Sequence, residues 1–378
     1  MKKQYFLMAM AATMFAACSQ TEVIDEVVDN STPKAIGFST YVNGQTRAEN
    51  SNQDYTWDLE DHHTTFKVWA YKNVADAKVF DGDVVTYTET STDPSTYEWK
   101  YTNTRYWDKA ASWYEFYAAA PATNKHDNEI QWILNPNSTD VQSDDYFILA
   151  SYELKGENLS QSELTTYMNS FRQLPNDIDL MIADKKKVVY ANFYDNVDLE
   201  FIHILSRLNI TVKKDSHVSD KVVLKKLEVA RLKNIGSFEE KEDANLSTGV
   251  TSRWNTFDNY TTITFDGDKE VKTNAKYAVQ ALVIPQDAGF ELVNLDGKGM
   301  AVTPQPYIRI EYTITPTGGY AETFVAYYNL ANAFGEASKI AFNEGWQNTL
   351  NITIYPTAIK FDANTAPWGE KNKDLKIE

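Results

Sequence analysis

Alternation of apolar and polar residues is the feature that most restricts the fold of this chain. Between residues 199 and 213 one face of an extended segment would carry Ile202, Ile204, Leu208, Ile210 and Val212. Successive side chains of a strand point to opposite faces of its sheet, so a period of two residues predicts a strand. Aromatic residues make up 13% of the chain, and with the many threonines and valines they favour β-structure. We therefore predict an all-β fold.

Short alternating segments separated by turns occur on both sides of residue 197. Those before it are residues 35–43, 66–71, 84–88, 97–101, 113–119, 146–152 and 179–183. Those after it are residues 199–213, 222–232, 261–265, 277–284, 307–314, 323–330 and 348–355. Such short, turn-punctuated strands are typical of β-sandwiches rather than alternating strand–helix units. The sequence predicts two sandwiches, residues 35–197 and 198–378, with few helices, of which residues 158–171 are the best candidate.

The N-terminus has the composition of a signal peptide. Two lysines precede an uncharged apolar run over residues 6–17, which is too short to span a bilayer stably. Two alanines then stand directly before Cys18, so small side chains flank the bond that a lipoprotein signal peptidase would cut. Cys18 is the one cysteine of the chain, so no disulfide can form within it. We predict a lipoprotein signal over residues 1–17 and a lipid on Cys18 as the membrane anchor.

Charge restricts the partners of the chain. Residues 18–34 are polar and acidic, which is typical of a flexible tether between a lipid and a folded domain. The whole chain has 53 acidic and 36 basic residues, with a formal net charge of −17. Nucleic-acid-binding domains carry a basic stripe or patch instead. No nucleic-acid partner is expected, and the acidic balance suits a soluble surface protein.

Candidates for chemistry are few. The sequence contains no P-loop, GxSxG, HExxH or CxxC motif. His62 and His63 are adjacent and would chelate one metal poorly from a strand, so we interpret them as solvated loop histidines. His203 is interpreted as a structural histidine at a domain junction. Acidic pairs at 144–145 and 239–240 are expected by chance among so many carboxylates. We predict no enzyme activity, no catalytic residue, no metal site and no cofactor.

The first predicted strand is followed by a polar loop that contains Arg47. Alternation places Ile36, Phe38 and Val42 on one face of that strand. A strand attached through an exposed loop with an arginine can be cut away. The sandwich would then present a groove of unpaired backbone groups lined by apolar side chains. A strand from another chain can fill such a groove, as in donor-strand complementation.

Motifs spread over the whole chain carry a resemblance to one protein family. In order, they are Cys18 with its acidic tether, residues 35–41 ending in 46–48, residues 66–71, residues 105–107 leading into 116–121, residues 201–208, and residues 345–349 through 359–362 to Pro367-Trp368. By these motifs and their order the chain resembles the fimbrillin family, the pilus subunits of gut and oral Gram-negative anaerobes.

The resemblance implies two tandem transthyretin-like Greek-key β-sandwiches and export as a surface-exposed lipoprotein of the outer membrane. In polymerising members of the family, an arginine-specific protease removes the lipid and the first strand. By position, Arg47 would precede the cut and Ala48 would become the new N-terminus. Ile36, Phe38 and Val42 would fill the groove until a strand of the next subunit replaces them in a fimbrium that supports cell adhesion.

Two alternatives stay open. Non-polymerising members of the family keep the lipid and serve as anchors or accessory proteins. A surface lipoprotein could also bind a host or microbial glycan through exposed aromatic side chains, for which the candidates are Trp57, Trp99, Trp107 and Trp132. A hydrolase is a third hypothesis that no motif supports.

The source of a donor strand is also open. Residues 369–378 are mostly charged, with Leu375 and Ile377 as the apolar ones. A donor strand needs a longer alternating pattern. Residues 348–361, if freed, are the alternative donor.

Overall fold

A computed structural model describes residues 34–43, 56–57, 59, 63–74, 77–92, 94–123, 130–135, 146–153, 178–240, 253–256, 260–287, 306–330, 341–356 and 359–367. A short 3₁₀ helix spans Tyr190–Asn192. The strands are β1 (Phe38–Asn43), β2 (Thr56–Trp57), β3 (Thr65–Lys72), β4 (Lys78–Thr92), β5 (Ser95–Tyr101), β6 (Trp113–Ala120), β7 (Ile133–Asn135), β8 (Tyr146–Glu153), β9 (Met181–Val189), β10 (Val197–His203), β11 (Ser206–Lys214), β12 (Lys221–Lys233), β13 (Ile235–Glu239), β14 (Trp254–Thr256), β15 (Tyr260–Val271), β16 (Lys276–Val283), β17 (Gln286–Asp287), β18 (Tyr307–Thr315), β19 (Glu322–Asn329), β20 (Ala341–Phe342), β21 (Trp346–Ile354) and β22 (Ile359–Pro367). The predicted all-β class is confirmed.

The first sandwich is one sheet folded over on itself. Its described strands follow the order β2-β1-β10-β9-β6-β3-β4-β5. Phe38 of β1 nevertheless packs edge-to-face on both Phe66 of β3 and Phe80 of β4, with 5.7 Å between ring centroids in each case. Strands far apart in the order therefore face each other across a shared apolar core, in which Phe116 and Phe201 are also fully buried.

The second sandwich consists of two four-stranded sheets. Their orders are β16-β11-β21-β22 and β15-β12-β18-β19. Alternating apolar residues of both sheets meet between them, for example Ile210 of β11 and Ile352 of β21 with Leu227 of β12 and Ile310 of β18. The two-stranded sheet of β17 and β20 adds Phe342 to the same core. Burial alternates along much of β12 and β18, whereas β11 is buried on both faces from Ser206 to Val212.

A smaller sheet, in the order β14-β13-β8-β7, joins the two sandwiches. Phe147 of β8 and Phe238 of β13 pack in one apolar cluster with Trp69 of β3 and Leu282 of β16. The cluster therefore contains residues from both sandwiches and from the sheet between them.

The predicted strand over residues 199–213 is wrong as a single element. It is interrupted at Ile204 and Leu205, both fully buried, where the chain leaves one sheet for another. The amide of Ile204 donates to the carbonyl of Leu180 over 3.0 Å, and β11 then pairs with β16 and β21. Apart from Ser206, the apolar residues of one face continue across the break, from Ile202 and Ile204 to Leu208, so alternation alone gave no sign of it.

The change of sheet also falls later than the division drawn after Val197. The strand β10 still pairs with β1 and β9 of the first sheet. Further along the chain, β22 extends the series of strands that the sequence ended at residue 355. Its polar residues and Pro367 suit an edge strand. The predicted helix over residues 158–171 lies outside the described residues.

Candidate functional site

The first strand, β1, is held mainly by one neighbour. It runs parallel to β10, with Phe38–Val42 in register with Val197–Phe201. On its other side β2 pairs only with Val42 and Asn43. Parallel pairing is slightly less stable per residue than antiparallel pairing. Within the part of the chain that the structure describes, most of the outer edge of β1 therefore has no strand partner.

Main-chain contacts fix the start of this segment to the loop after β5. The amide of Ile36 donates to the carbonyl of Arg105 over 2.9 Å. The hydroxyl of Tyr101 donates to the carbonyl of Ile36 over 2.8 Å. Arg105 is held in turn, because its guanidinium contacts the carboxylate of Asp83 at 2.9 Å. Since these bonds to β1 use its backbone atoms, a different strand could form them as well.

The inward face of the segment is an apolar row. Ile36, Phe38 and Val42 are all buried, and Phe38 is only 4% exposed. Its ring lies 5.7–6.2 Å from those of Phe66, Phe80, Tyr101 and Phe116, which belong to four different strands. Burial of each such side chain stabilises by about 1.5–3 kcal/mol. The groove around β1 is therefore a large apolar surface that must be covered by some strand.

Thr40 interrupts this inward row. It lies between Phe38 and Val42 on the same face, and its hydroxyl oxygen is buried without a hydrogen-bond partner among the described residues. An unpaired buried polar group costs about 1–3 kcal/mol. A strand with an apolar residue in place of Thr40 would therefore bind in this groove more stably than β1 does.

Thr40→Val is expected to raise the free energy of unfolding by about 1 kcal/mol or more, because a methyl group replaces an unpaired hydroxyl at nearly constant shape. Denaturant unfolding followed by tryptophan fluorescence measures the change. Thr88→Val, at an exposed position of β4, is the matched control and should change stability by less than about 0.5 kcal/mol. A Thr40→Val protein less stable than the wild type would contradict the assignment.

The outward face of β1 meets two carboxylates of β10. The hydroxyl of Ser39 donates to Asp198, and that of Tyr41 donates to Glu200 over 3.0 Å. Partial burial, together with the hydrogen bond to Glu200, raises the pKa of Tyr41 to about 12. Hydrogen-bond donors at these positions of a replacing strand would form the same contacts with the two carboxylates.

The predicted site residues divide into two groups. Ile36, Phe38 and Val42 lie in the first core as described above. Cys18, Arg47 and Ala48 lie outside the described residues, so their roles remain predictions. No helix in the described part of the chain has the length and hydropathy to cross a membrane.

A buried polar cluster, which sequence reasoning missed, lies at the end of β10. His203 donates from Nδ1 to Asp179 Oδ2 over 2.7 Å, and His63 donates from Nε2 to the Asp179 carbonyl over 2.5 Å. Asp179 is 1%, His203 4% and His63 8% exposed. The interpretation of His63 as a solvated loop residue is therefore wrong, because Asp179, far away in sequence, covers it. His62 lies outside the described residues.

Burial and hydrogen bonds to Asp179 hold both histidines of the cluster in place. Burial lowers the pKa of His63 to about 4. Among the described residues no group of three or more His, Cys, Asp or Glu side chains is arranged to hold a metal ion.

We expect the free energy of unfolding to decrease as the pH falls from about 6.5 towards 4. The unfolded chain binds a proton at His63 in this window and the folded chain does not, so acid favours unfolding by up to about 1.4 kcal/mol per pH unit. His63→Gln should reduce this slope, measured by denaturant unfolding near pH 7 and near pH 5. His217→Gln, at a side chain 89% exposed, should keep it. An unchanged slope in His63→Gln would contradict the prediction.

Two of the four tryptophans proposed as glycan platforms are core residues, which corrects that expectation. Trp107 and Trp132 are buried, and the indole of Trp132 donates to the Pro121 carbonyl over 3.0 Å. Trp99 is partly buried against Phe66. The side chain of Trp57 lies outside the described set. Tryptophan content alone did not distinguish core from surface.

The acidic pair at 239–240 is also structural where it is described. Glu240 accepts a hydrogen bond from the Phe147 amide over 3.2 Å and lies 3.5 Å from Arg253. The pair at 144–145 lies outside the described residues.

Comparison with known proteins agrees with this architecture. The sequence model of the fimbrillin-like family matches residues 46–368, and the chain therefore belongs to the fimbrillin-like family. A fimbrial protein of Bacteroides vulgatus is similar in structure at 17% identity, over 89% of this chain and 99% of its own, with a TM-score of 0.52. A tip fimbrial protein of Porphyromonas gingivalis, solved with a C-terminal truncation, aligns at 10% identity over 88% and 99%, with a TM-score of 0.32. No relative is found among curated proteins.

Proposed function

We propose that this chain is a pilus subunit that supports cell adhesion, is exported as a lipoprotein and assembles by strand exchange after cleavage at Arg47. The observation that carries the proposal is the first strand. It has a row of buried apolar side chains and, among the described strands, one long partner, and Arg47 follows it closely in the sequence. The membrane partner is the outer membrane, reached through a lipid on Cys18. The assembly partners are further pilus subunits.

Cleavage after Arg47 would release the segment that contains β1. Loss of β1 would expose the backbone edge of β10 along Val197–Phe201, with the rings around Phe38 as the floor of the groove. Unpaired backbone groups beside an apolar floor are the recognition surface of strand addition. The family match over residues 46–368 coincides closely with the part that would remain after the cut.

Exchange also needs a replacement that binds better than β1. A donor strand running antiparallel to β10 would gain the more stable type of pairing. An apolar residue in place of Thr40 would remove the unpaired hydroxyl. Hydrogen-bond donors opposite Asp198 and Glu200 would complete the match.

Residues 348–361, taken together, are unsuited to be such a donor strand. Its first part belongs to β21, which lies between β11 and β22. Leu350 and Ile352 of this strand are fully buried in the second core. Release of β21 would open that core, whereas β22 lies at the edge of its sheet among the described strands, beside β21.

Intact mass and N-terminal sequence of the protein taken from the surface of its native cell test the proposal. A chain that begins at Ala48 without lipid supports cleavage and exchange. A chain that begins at a lipidated Cys18 contradicts cleavage, and the protein would then be a pilus anchor or a surface binder.

A surface lipoprotein that binds glycan is the second candidate, and one observation favours it. Tyr97 of β5 is 49% exposed and stacks on Tyr87 of β4, with 5.3 Å between ring centroids and 17° between planes. Exposed tyrosines of this kind offer a flat face to a sugar ring. Loss of glycan-array binding in Tyr97→Ala would support this candidate, and absence of any binding by the wild type would exclude it.

A further inference from the structure

A polar pocket of about 280 Å³ opens at one end of the second sandwich, in a different sheet from β1. It lies between the end of β11, the turn from β15 to β16 and the ends of β21 and β22. Its lining residues are Lys213, Lys214, Asp215, Ser216, Thr273, Thr353, Tyr355 and Lys360. Drug-sized ligands occupy pockets of about 300–1,000 Å³, so this pocket suits a smaller group such as one sugar ring.

Two lysines of the pocket belong to one row across the sheet. In register, Lys213 of β11 lies beside Thr353 of β21, and Thr353 lies beside Lys360 of β22. Side chains in such a row point to the same face. Thr353 is short and buried, so the two longer lysine side chains flank a gap above its hydroxyl. In the described part of the chain, no carboxylate forms an ion pair with either lysine.

The pocket is positive in a strongly acidic chain. Its three lysines and one aspartate sum to 3 − 1 = +2, whereas the whole chain has a formal charge of −17. The Asp215 carboxylate is held within its own turn. It accepts hydrogen bonds from the amide of His217 over 2.9 Å and from His217 Nδ1 over 2.8 Å. The Lys214 ammonium donates to the carbonyl of Asp220, a neutral acceptor, over 2.7 Å.

The surroundings of the pocket carry charges of both signs. Lys272 forms an ion pair with Glu270, and its hydrogen bond, followed by the charges of Lys221 and Lys214, lowers the pKa of Glu270. These lysines therefore favour the ionised form of a carboxylate beside the pocket. Like charges gathered at one place on a surface repel each other unless an anion lies between them.

The other residues that line the pocket indicate which kind of anion it would bind. Ser216, Thr273 and Thr353 present hydroxyl groups, and Tyr355 adds a ring and a fourth hydroxyl. A lipid would need an apolar wall for its chains, while a saccharide offers several hydroxyls that donate and accept as these side chains do. We propose that this pocket binds an acidic saccharide, with Lys213 and Lys360 contacting its carboxylate or sulfate group and the hydroxyl-rich wall contacting the sugar.

Titration of the purified full chain with sodium glucuronate and with glucose 6-sulfate, followed by NMR chemical shifts, tests the proposal. Glucose and sodium sulfate are the ligand controls. Both acidic sugars should bind more tightly than either control and shift the Ser216 and Thr273 amides. The double variant Lys213→Gln/Lys360→Gln should weaken binding by about tenfold or more, because two charge-assisted hydrogen bonds are lost.

Lys100→Gln, at an exposed lysine of β5, is the matched variant and should bind as the wild type does. Equal binding of sodium sulfate and glucose 6-sulfate would overturn the saccharide assignment in favour of a bare anion site. Unchanged binding in the double variant would overturn the site itself, as would binding of phosphatidylglycerol vesicles without binding of either sugar. A thermal unfolding scan shows that each variant is folded. The test uses monomeric protein and does not depend on cleavage at Arg47.

Discussion

The Arg47→Ala variant is expected to remain monomeric and lipid-bound on cells that polymerise the wild-type protein. An arginine-specific protease would have no bond to cut, so the first strand would stay covalently attached and β10 would stay covered. A tethered strand competes at a high effective concentration with any strand from another subunit. The measurement is the polymer fraction on the cell surface, together with the intact mass of the monomer.

Two further variants test whether polymerisation depends on the bond after Arg47. Arg47→Lys keeps the positive charge and removes the arginine side chain, so it should also remain monomeric. Gln45→Ala changes the same loop without touching the bond and should polymerise as the wild type does. Polymerisation of Arg47→Ala at the wild-type level would exclude this bond as the trigger.

Phe38→Ala is expected to lower the free energy of unfolding by about 3–5 kcal/mol, the usual cost of removing a buried phenylalanine side chain. Four rings lose their common partner in this variant, and the cavity lies between the two layers of the first sandwich. Denaturant unfolding measures the loss. After proteolysis at Arg47 the variant segment should also dissociate faster than the wild-type segment, because the contacts of Phe38 with four rings are lost and those of Ile36 and Val42 remain.

Tyr320→Ala removes an aromatic side chain of similar size from a position that is 96% exposed, and it should cost less than about 0.5 kcal/mol. Phe38→Leu keeps most of the buried volume and should fall between this control and Phe38→Ala. A loss below about 1 kcal/mol in Phe38→Ala would mean that the first strand contributes little to its core.

The first strand and the buried cluster of His63, Asp179 and His203 are expected to respond differently to acid. The inward contacts of β1 are apolar and do not titrate, so mild acid should leave the groove contacts intact. The cluster of His63, Asp179 and His203 lies at the end of the neighbouring strand β10. Acid destabilisation should therefore appear first in the unfolding of the whole sandwich rather than in selective release of β1.

Local pattern was enough to predict the faces of the first strand. The alternation over residues 35–43 requires no knowledge of the partner, because the pleat of any strand puts Ile36, Phe38 and Val42 on one side. The same argument predicted the all-β class and most of the strands in the second half. Family membership followed from motifs in order along the chain, and the family match confirms it.

Failures of sequence reasoning share one cause, which is that they depend on contacts between residues far apart in the chain. The interruption at Ile204 and Leu205 is hidden because the alternating pattern continues past it to Leu208, and only the pairing partners change. His63 is buried by Asp179, which no local pattern connects to it. The tryptophans differ in exposure because of the layers that pack on them.

The sequence by itself determined which residues of β1 point inward, where a lipid and a cut are expected, and that the chain is built from strands. Each of these depends on short-range geometry or on a motif a few residues long. Only the tertiary structure decided that β1 pairs in parallel with β10, that Thr40 is buried without a partner, and that Lys213 and Lys360 share one pocket. Strand pairing is non-local: it is set by how whole sheets pack, and a period of two residues carries no information about the neighbour.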